Sequence, residues 1–324
     1  MILTLTPNPS TDQTLVLGEP LRRGAVQRLQ STIGTAGGKG INVSHACALA
    51  GLDTLALFPA SGNDPFLKLV TEDSIPYQAV FFDGRVRTNI TITEPDGTTS
   101  KLNGPGPELD HATIAKLEGL LVGAATAADW VVMAGSLPPG VPTDWYAQLV
   151  SELRSHLPHV KIAVDTSDAP LVALAASLDH GPGPDLMKPN GIELGQIAGV
   201  DGEELEARAL EGDFAPVVAA AASLVDRGVT EVLVTLGAAG AVLVNAQGAW
   251  HAQPQRIEVV STVGAGDSSL AGYVMARRGG ADETKALQSA MAYGSTAASL
   301  PGTTIPAPDD IHPEDVTVTR LPRD

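Results

Sequence analysis

The chain has 324 residues, a length that suits one large α/β domain or a main domain with a small appendage. Hydrophobic residues make up 44% and charged residues 18%, which is typical of a globular protein and excludes a disordered one. The net charge of −17 disfavours nucleic acid and anionic membranes as partners. Cys47 is the only cysteine, which excludes an internal disulfide and argues against a cysteine-based zinc site.

No stretch of the sequence predicts a membrane span or a secretory signal. The first residues, MILTLTPNPSTD, lack a basic region and a long apolar core, and they predict a strand followed by a turn. The longest apolar runs are interrupted by Asp129 and Asp226 and stay below the length of about 18 residues that a spanning helix needs. We therefore expect a cytoplasmic protein.

Short β-branched runs alternate with amphipathic stretches along most of the chain. The predicted strands are residues 1–6, 54–59, 130–134, 160–165, 231–236 and 240–245. The predicted helices lie near 40–51, 110–122, 143–156, 191–199, 215–228, 267–278 and 284–299. This alternation predicts βαβ units and a parallel sheet with helices on both faces, where ligands bind beyond the carboxyl ends of the strands. The unusual residues that follow predicted strands are Asp12, Gly135, Ser136, Asp165, Lys188, Pro189, Asn190 and Gly237.

Two segments depart from this alternation early in the chain. Residues 14–36 and 87–102 alternate as strands do, and the second contains a Pro-Asp-Gly turn that is typical of a hairpin. We expect them to form a small antiparallel sheet that projects from the main domain as a lid or a dimer contact. The tail from Pro301 onward is rich in proline, aspartate and threonine, and we expect it to wrap around the surface.

The segment TAGGKGINVSHACALAG (35–51) has the composition of an anion-binding turn at the start of a helix. Its glycines allow close approach of the backbone, and Lys39 adds a positive charge. A glycine-rich turn that only leads into a core helix, with no bound anion, would have the same composition. The segment is not a Walker A loop, because Gly40 follows the lysine.

Two loops carry polar side chains after predicted strands. In AGSLPPGVP, Ser136 would hydrogen-bond a hydroxylated ligand, unless this is only a loop stiffened by proline. In MKPNGIEL, Asn190 and Glu193 lie three residues apart at a helix start and therefore on one face. They would suit a hydrated Mg²⁺, or they form a capping box of the helix.

The segment VTLGAAGAVLV (234–244) has the form of a strand, a glycine turn and a strand. Backbone amides at Gly237 and Gly240 would approach a nucleotide phosphate, although an ordinary tight hairpin has the same form.

The segment STVGAGDSSLAGYVMARR (261–278) predicts a second glycine turn before a helix. Its amides would stabilise developing negative charge. The helix dipole should lower the pKa of Asp267 and keep its carboxylate ionised. Asp267 as a simple helix cap is the alternative, but a cap does not account for the Gly-Ala-Gly sequence before it.

Together, and in this order, these segments resemble the PfkB, or ribokinase-like, family of carbohydrate kinases. The resemblance extends over about residues 1–300, and the two family signatures are matched by GGKGINVSHACALAG and STVGAGDSSLAG. TLTPNPSTD, GGKGIN, RTNITI, SLPPG and KPNGIEL are similar to the phosphosugar branch, which includes 1-phosphofructokinases and tagatose-6-phosphate kinases. One departure is the pair Ser10-Thr11, where the family usually has two small apolar residues before the first aspartate.

The resemblance implies a ribokinase-like three-layer α/β/α fold with a mainly parallel central sheet and a small antiparallel β-lid. It implies a single kinase domain over residues 1–324. The parts of that domain are a main α/β unit at about 1–13, 37–86 and 103–300, a lid at about 14–36 and 87–102, and a tail at 301–324. It also implies a homodimer that forms through the lid.

The activity implied by the resemblance is transfer of a phosphoryl group from MgATP to a hydroxyl of a sugar phosphate. By position, the catalytic base would be Asp267, and the anion hole would be formed by Gly264, Ala265 and Gly266. The sugar phosphate would contact Asp12, Gly37, Gly38, Lys39, Asn42, Arg87, Asn89, Lys101 and Ser136. ATP would contact Lys188, Asn190, Glu193, Thr235, Gly237 and Gly240. Mg²⁺ would be held, through water, by Asn190, Glu193 and Asp165.

Phosphoryl transfer chiefly needs positioning and neutralisation of charge, which agrees with this set of residues. A phosphorylated substrate also explains why an acidic protein keeps Lys39, Arg87 and Lys101 in these segments. The expected substrate is D-fructose 1-phosphate, giving fructose 1,6-bisphosphate. Fructose 6-phosphate and tagatose 6-phosphate stay open, because each carries a phosphate and a free primary hydroxyl.

Two functions other than that of a kinase are disfavoured by the sequence. A non-catalytic sensor of sugar phosphates or nucleotides on the same fold would need a damaged catalytic set, whereas Asp267, Asn190 and Glu193 are all present. A dinucleotide-dependent dehydrogenase is disfavoured because no G-x-G-x-x-G follows the first predicted strand.

Overall fold

The computed structural model describes residues 1–323, and its strands form two separate sheets. The strands are, in chain order, β1 (Ile2–Leu5), β2 (Ser10–Leu17), β3 (Leu29–Gly37), β4 (Thr54–Ala60), β5 (Tyr77–Phe81), β6 (Arg87–Thr93), β7 (Thr99–Asn103), β8 (Trp130–Ala134), β9 (Lys161–Asp165), β10 (Leu186–Met187), β11 (Glu231–Thr235), β12 (Ala241–Asn245), β13 (Gly248–Ala252) and β14 (Val318–Leu321). The helices are α1 (Lys39–Leu49), α2 (Pro65–Glu72), α3 (His111–Ala125), α4 (Trp145–His156), α5 (Asp168–Ser177), α6 (Gly191–Ala198), α7 (Gly202–Leu210), α8 (Ala215–Asp226), α9 (Ala265–Arg278) and α10 (Glu283–Ala298). Short 3₁₀ turns lie at Gly237–Ala239, Pro308–Asp310 and Pro313–Asp315.

The larger sheet has the strand order β14-β13-β12-β11-β10-β9-β8-β1-β4-β5. The strands from β11 to β5 in this order are parallel, and β12, β13 and β14 are antiparallel to their neighbours. Apolar clusters lie on both faces of the sheet, as the alternation of side chains along each strand requires. Helices α1, α9 and α10 cover one face, and α3 to α8 cover the other. The predicted three-layer α/β/α fold is confirmed.

The smaller sheet has the order β3-β2-β6-β7. Its outer pairs are antiparallel, whereas β2 and β6 pair in parallel. Strand β2, which comes first along the chain, begins at Ser10. Asp12 therefore lies inside β2 rather than in a turn after β1. In this register Asp12 lies between Thr35 of β3 and Asn89 of β6.

The carboxyl edge of the parallel strands brings distant parts of the chain together. Ser136 follows β8, Asp165 ends β9, Lys188 follows β10 and Thr235 ends β11, and these strands are neighbours in the sheet. The strand order reverses between β1 and β8, the position at which open α/β sheets form a ligand-binding crevice. Among the helices of residues 1–323, none has the length and apolar character needed to cross a membrane.

The C-terminal tail has more structure than expected. Residues Val318–Leu321 form β14, which pairs with β13 and extends the main sheet. The expectation that the tail wraps around the surface is therefore wrong for this part of it. Asp324, the last residue of the predicted tail, lies outside the described residues. The strands that the sequence did not indicate are β5, β10, β13 and β14.

Candidate active site

The turn before α9 presents backbone amides at the carboxyl edge of the main sheet. Gly264 occupies the N-cap position with φ +78°, a left-handed conformation that favours glycine. The N–H groups of Ala265, Gly266 and Asp267 belong to the first turn of α9, so helix geometry gives them no intrahelical acceptor. Three amide hydrogens at one helix start have the arrangement that the predicted anion hole requires.

Asp267 lies within the first turn of α9 and does not cap the helix. Asp267 is 9% exposed, and its Oδ2 accepts a hydrogen bond of 2.7 Å from Nδ2 of Asn42 on α1. Because Gly264 occupies the cap position, the alternative of Asp267 as a simple cap is wrong. Asn42, expected at the sugar hydroxyls, holds the carboxylate of Asp267 in this structure.

The pKa of Asp267 is raised above its ordinary value, so the expected lowering by the helix dipole is wrong in direction. Burial raises this pKa, Lys39 lowers it, and the nearby Asp165 raises it further. Burial dominates because the carboxylate lies among other side chains rather than in water. A general base is most effective when its pKa approaches the working pH, so the raised value suits the role predicted for Asp267.

Asp165 joins two lysines at the centre of the site. It is 1% exposed; its Oδ1 lies 2.8 Å from Nζ of Lys39, and its Oδ2 lies 3.1 Å from Nζ of Lys188. Although burial raises the pKa of Asp165, the charges of Lys188 and Lys39 lower it below the ordinary value. Burial lowers the pKa of Lys39, but Asp165 and Asp267 raise it above its ordinary value. Asp165 and Lys39 are therefore both charged near neutral pH.

Lys188 also approaches the amide turn. It is 5% exposed, and a Cβ added to Gly266 would lie 3.3 Å from its Nζ. Two ammonium groups, three free amides and the carboxylate of Asp267 therefore surround one small volume beyond the ends of β9 and β10.

The residues expected to hold Mg²⁺ do not fit that role equally. Asp165 does not fit a metal ligand, because each of its oxygens faces a lysine ammonium. Asn190 and Glu193 form the capping box of α6: Glu193 donates its N–H to Oδ1 of Asn190, and Asn190 donates its N–H to Oε2 of Glu193. Within residues 1–323 no three acidic, histidine or cysteine side chains form a metal cluster. A hydrated Mg²⁺ carried by nucleotide phosphates fits the remaining carboxylate oxygen of Glu193, since Mg²⁺ takes few protein ligands.

The predicted nucleotide turn lies beside α6. Thr235 forms a parallel bridge with Asn190, and its N–H donates to the carbonyl of Pro189 at 3.1 Å. The chain then turns through Gly237–Ala239 into β12, the strand, turn and strand that the sequence indicates. Gly240 has φ +90°, and a Cβ there would lie 2.1 Å from the carbonyl oxygen of Ala252, so only glycine fits.

A second cluster surrounds Asp12 in the smaller sheet. Oδ1 of Asp12 accepts hydrogen bonds from Oγ of Ser10 at 2.7 Å and from Nδ2 of Asn89 at 3.0 Å. A Cβ at Gly37 would lie 2.4 Å from this carboxyl group, so the close approach requires glycine. Burial raises the pKa of Asp12, which these hydrogen bonds and Arg87 oppose. The structure thus brings together the predicted residues of β2, β3 and β6.

Other predicted residues occupy different positions around the crevice. Gly38, with φ +122°, leads into α1, and a Cβ there would lie 2.7 Å from Cγ2 of Thr6. Arg87 donates from a terminal guanidinium nitrogen to the carbonyl of Gly104 at 3.0 Å, and burial lowers its pKa although Asp12 opposes the shift. Lys101 is exposed on β7, opposite Thr91, and the structure does not bring it into the Asp12 cluster.

One polar residue of this region was missed by sequence reasoning. Asn8 is 3% exposed and donates from Nδ2 to Oγ of Ser136 at 3.3 Å. An asparagine between two prolines directly after a predicted strand is the signal that indicates an ordered, buried turn here.

Residues 10–310 match the sequence profile of the pfkB family of carbohydrate kinases. The chain belongs to this family. This confirms the predicted family and the predicted enzyme class, a phosphotransferase with an alcohol group as acceptor, and membership in a kinase family implies the use of ATP.

The pfkB kinases that this chain resembles include two named 1-phosphofructokinases. The protein of Haloferax volcanii is 35% identical over 315 residues, which cover 96% of this chain and 95% of the relative. That of Escherichia coli K12 is 34% identical over 307 residues, covering 94% and 93%. A crystal structure of phosphofructokinase-2 from Escherichia coli, in complex with substrates and products, matches with a TM-score of 0.85 and 28% identity, covering 95% of this chain and 96% of that one.

Proposed function

We propose that this kinase phosphorylates D-fructose 1-phosphate with ATP, giving D-fructose 1,6-bisphosphate and ADP. The observation that carries this proposal is the buried Asp267 at the start of α9, beside three free amides and the ammonium groups of Lys39 and Lys188. The relatives named 1-phosphofructokinase, which match over nearly the whole chain, support the choice of sugar.

In the proposed reaction the free primary hydroxyl of the sugar attacks the γ-phosphorus of ATP. A new O–P bond forms, the bond to the bridging oxygen of ADP breaks, and the hydroxyl proton passes to the carboxylate of Asp267. The amides of Ala265, Gly266 and Asp267 would donate to the transferring phosphoryl group. We assign Lys188 and Lys39 to the same group, because Asp165 holds both ammonium ions beside Asp267.

This assignment moves Lys39 away from the phosphate that the sugar already carries. For that phosphate we propose Arg87, the first residue of β6, which lies opposite Ser10 beside the Asp12 cluster and whose guanidinium is only partly satisfied by Gly104. Nε of Arg87 is buried and has no hydrogen-bond partner within residues 1–323. An arginine with unused donors suits a phosphate, since its planar fork binds two oxygens at once.

Mg²⁺ would be held by the nucleotide phosphates and, through water, by Glu193. When bound, it would neutralise charge on the β- and γ-phosphates. The capping box with Asn190 fixes the position of the Glu193 carboxylate relative to the turn at Thr235.

We expect fructose 1-phosphate to give the highest kcat/KM in an assay of ADP release that also tests fructose 6-phosphate, tagatose 6-phosphate and free fructose. Charge-assisted hydrogen bonds to the sugar's phosphate should favour it over free fructose by about a hundredfold or more. A preference for fructose 6-phosphate or tagatose 6-phosphate would support the proposed kinase activity and contradict the proposed substrate. Tight binding of sugar phosphate without any release of ADP would favour a non-catalytic sensor instead.

We also propose that the smaller sheet pairs two copies of the chain into a homodimer. The face of this sheet opposite Asp12 carries Leu15, Ile90, Ile92 and Leu102, and Leu102 is 58% exposed. One solved structure of Escherichia coli phosphofructokinase-2 is described as a tetrameric inhibited form, so related chains do associate. Sedimentation equilibrium should give twice the mass of the chain for the wild type, and a monomer for Leu102→Glu. A wild-type monomer at micromolar concentration would contradict the proposal.

A further inference from the structure

Asn8 occupies the point where the chain leaves the main sheet for the smaller one. It lies between Pro7 and Pro9 in the short connection from β1 to β2, and it is 3% exposed. The two prolines restrict the backbone on either side, so the side chain of Asn8 is held in a fixed direction. This buried amide contacts the segment through which the chain returns from the smaller sheet to the main sheet.

Two other connections meet at this side chain. Nδ2 of Asn8 lies 3.0 Å from the carbonyl oxygen of Pro105, in the segment that returns from β7 to the main domain. The same nitrogen lies 3.3 Å from Oγ of Ser136, in the loop after β8. The loop after β8 and the returning segment also contact each other directly, because Leu109 donates its N–H to the carbonyl of Pro139 at 2.9 Å. Asn8 therefore joins the entry to the smaller sheet, the return from it and the Ser136 loop.

The chemistry of these contacts fixes the direction of each hydrogen bond. A backbone carbonyl only accepts, so the atom of Asn8 that faces Pro105 is the amide nitrogen and not the oxygen. An amide nitrogen only donates, so Oγ of Ser136 is the acceptor. The hydroxyl hydrogen of Ser136 is then left for another acceptor, and within residues 1–323 Ser136 donates no hydrogen bond.

Oδ1 of Asn8 is a buried atom without a hydrogen-bond partner in the described part of the chain. It lies against Gly106, where an added Cβ would be 2.2 Å away and where φ is +93°. Leaving this acceptor unsatisfied is costly. The amide is thus held in an orientation that satisfies Pro105 and Ser136 at the expense of its own oxygen.

We propose that Asn8 is a positioning residue that turns the hydroxyl hydrogen of Ser136 toward an oxygen of the bound sugar phosphate. This inference rests on the proposed function, since it needs a phosphorylated sugar in the crevice beside Ser136. Asn8 acts on the sugar phosphate only through Ser136, and it touches neither ATP nor the transferring group. Its loss should weaken binding of the sugar phosphate and leave the binding of ATP unchanged.

A double-mutant cycle tests this role. KM for the sugar phosphate and KM for ATP are measured in the wild type, Asn8→Asp, Ser136→Ala and the double variant. The carboxylate of Asn8→Asp only accepts, so it takes the hydrogen of Ser136 away from the substrate. Each single change should raise KM for the sugar phosphate about tenfold or more, and KM for ATP should stay within about twofold. The double variant should resemble Ser136→Ala within about twofold.

A full additional penalty from Asn8→Asp in the Ser136→Ala background would overturn the proposal, because the new charge or a disturbed turn would then act without Ser136. An unchanged KM in Asn8→Asp would overturn it as well. Should Asn8→Asp fail to fold, the same cycle is run with Asn8→Ala. Gln148→Glu, which adds the same charge at an exposed position of α4, controls for net charge.

The cycle uses whichever sugar phosphate the wild type turns over fastest. Inactivity of the wild type on fructose 1-phosphate therefore counts against the proposed substrate alone, whereas an unaltered KM in Asn8→Asp counts against Asn8 alone.

Discussion

Replacing Asp267 by asparagine should lower kcat by about a hundredfold or more, because the hydroxyl of the sugar then loses its proton acceptor. Asparagine has nearly the same shape and still accepts the hydrogen bond from Nδ2 of Asn42. Dissociation constants for ATP and for the sugar phosphate, measured by calorimetry, should therefore change only severalfold. The free energy of unfolding should not fall, because burial disfavours the charged form of Asp267.

The pH dependence of the wild type tests the same role. Burial raises the pKa of Asp267, and a base accepts protons only in its ionised form. Activity is therefore present above this pKa, and kcat/KM should fall as the pH drops through it. The midpoint of this fall should lie above the ordinary pKa of an aspartate, about 3.9.

Asp282→Asn is the matched control for Asp267→Asn. Asp282 caps α10 and accepts from the N–H of Lys285 at 2.8 Å, and asparagine caps a helix about as well as aspartate. The control should keep the wild-type kcat. Near-normal turnover in Asp267→Asn would rule out Asp267 as the base.

Replacing Asp165 by asparagine should reduce both stability and activity. The variant leaves the buried ammonium of Lys188 without its counter-ion, and breaking a buried ion pair costs about 3–5 kcal/mol. Lys39 and Lys188 also lose the anchor that holds them, and a displacement of about 1 Å in a reaction centre can cost about a hundredfold in rate. Urea unfolding without ligand measures the first effect, and kcat/KM measures the second.

The stability effect of Asp165→Asn has a defined pH dependence. The folded-state pKa of Asp165 lies below its ordinary value, so its contribution is present above the unfolded pKa of about 3.9 and is lost as pH falls through the folded pKa. The difference between wild type and variant should therefore be greatest near neutral pH and shrink in acid.

Asp185→Asn separates the two effects of Asp165→Asn. Asp185 is also buried between two cations, pairing with Arg154 and with Lys161 at 2.9 Å, but it lies before β10 and not after its carboxyl end. Its replacement should lower stability and leave kcat unchanged. If Asp165→Asn lost no more activity than Asp185→Asn, the anchoring role of Asp165 would be wrong.

The sequence was sufficient to predict those parts of the fold and of the site that depend on the local pattern of residues. The βα alternation predicts the parallel sheet, and Gly264 before Asp267 indicates a turn at a helix start because a left-handed φ favours glycine. The resemblance of the signature segments to the family then predicts kinase chemistry at that turn.

Features that depend on contacts between distant residues were not predictable in the same way. Asp165 was expected at the metal because nothing in its neighbourhood along the chain shows that Lys39 and Lys188 meet its two oxygens. The pKa of Asp267 was expected to fall because the helix dipole is a local effect, whereas its burial follows from the packing of α9 against α1. Strand β14 depends on pairing with β13 rather than on its own pattern.

The most direct measurement is the phosphorus NMR spectrum of a reaction of the wild type with fructose 1-phosphate and MgATP, followed in time. A second phosphate monoester on the sugar should appear together with ADP, and the signal of the first phosphate should persist. In parallel, Asp267→Asn should produce this second monoester about a hundredfold more slowly or slower still. Formation of ADP without a second monoester, or equal rates in the two proteins, would contradict phosphoryl transfer to the sugar through Asp267.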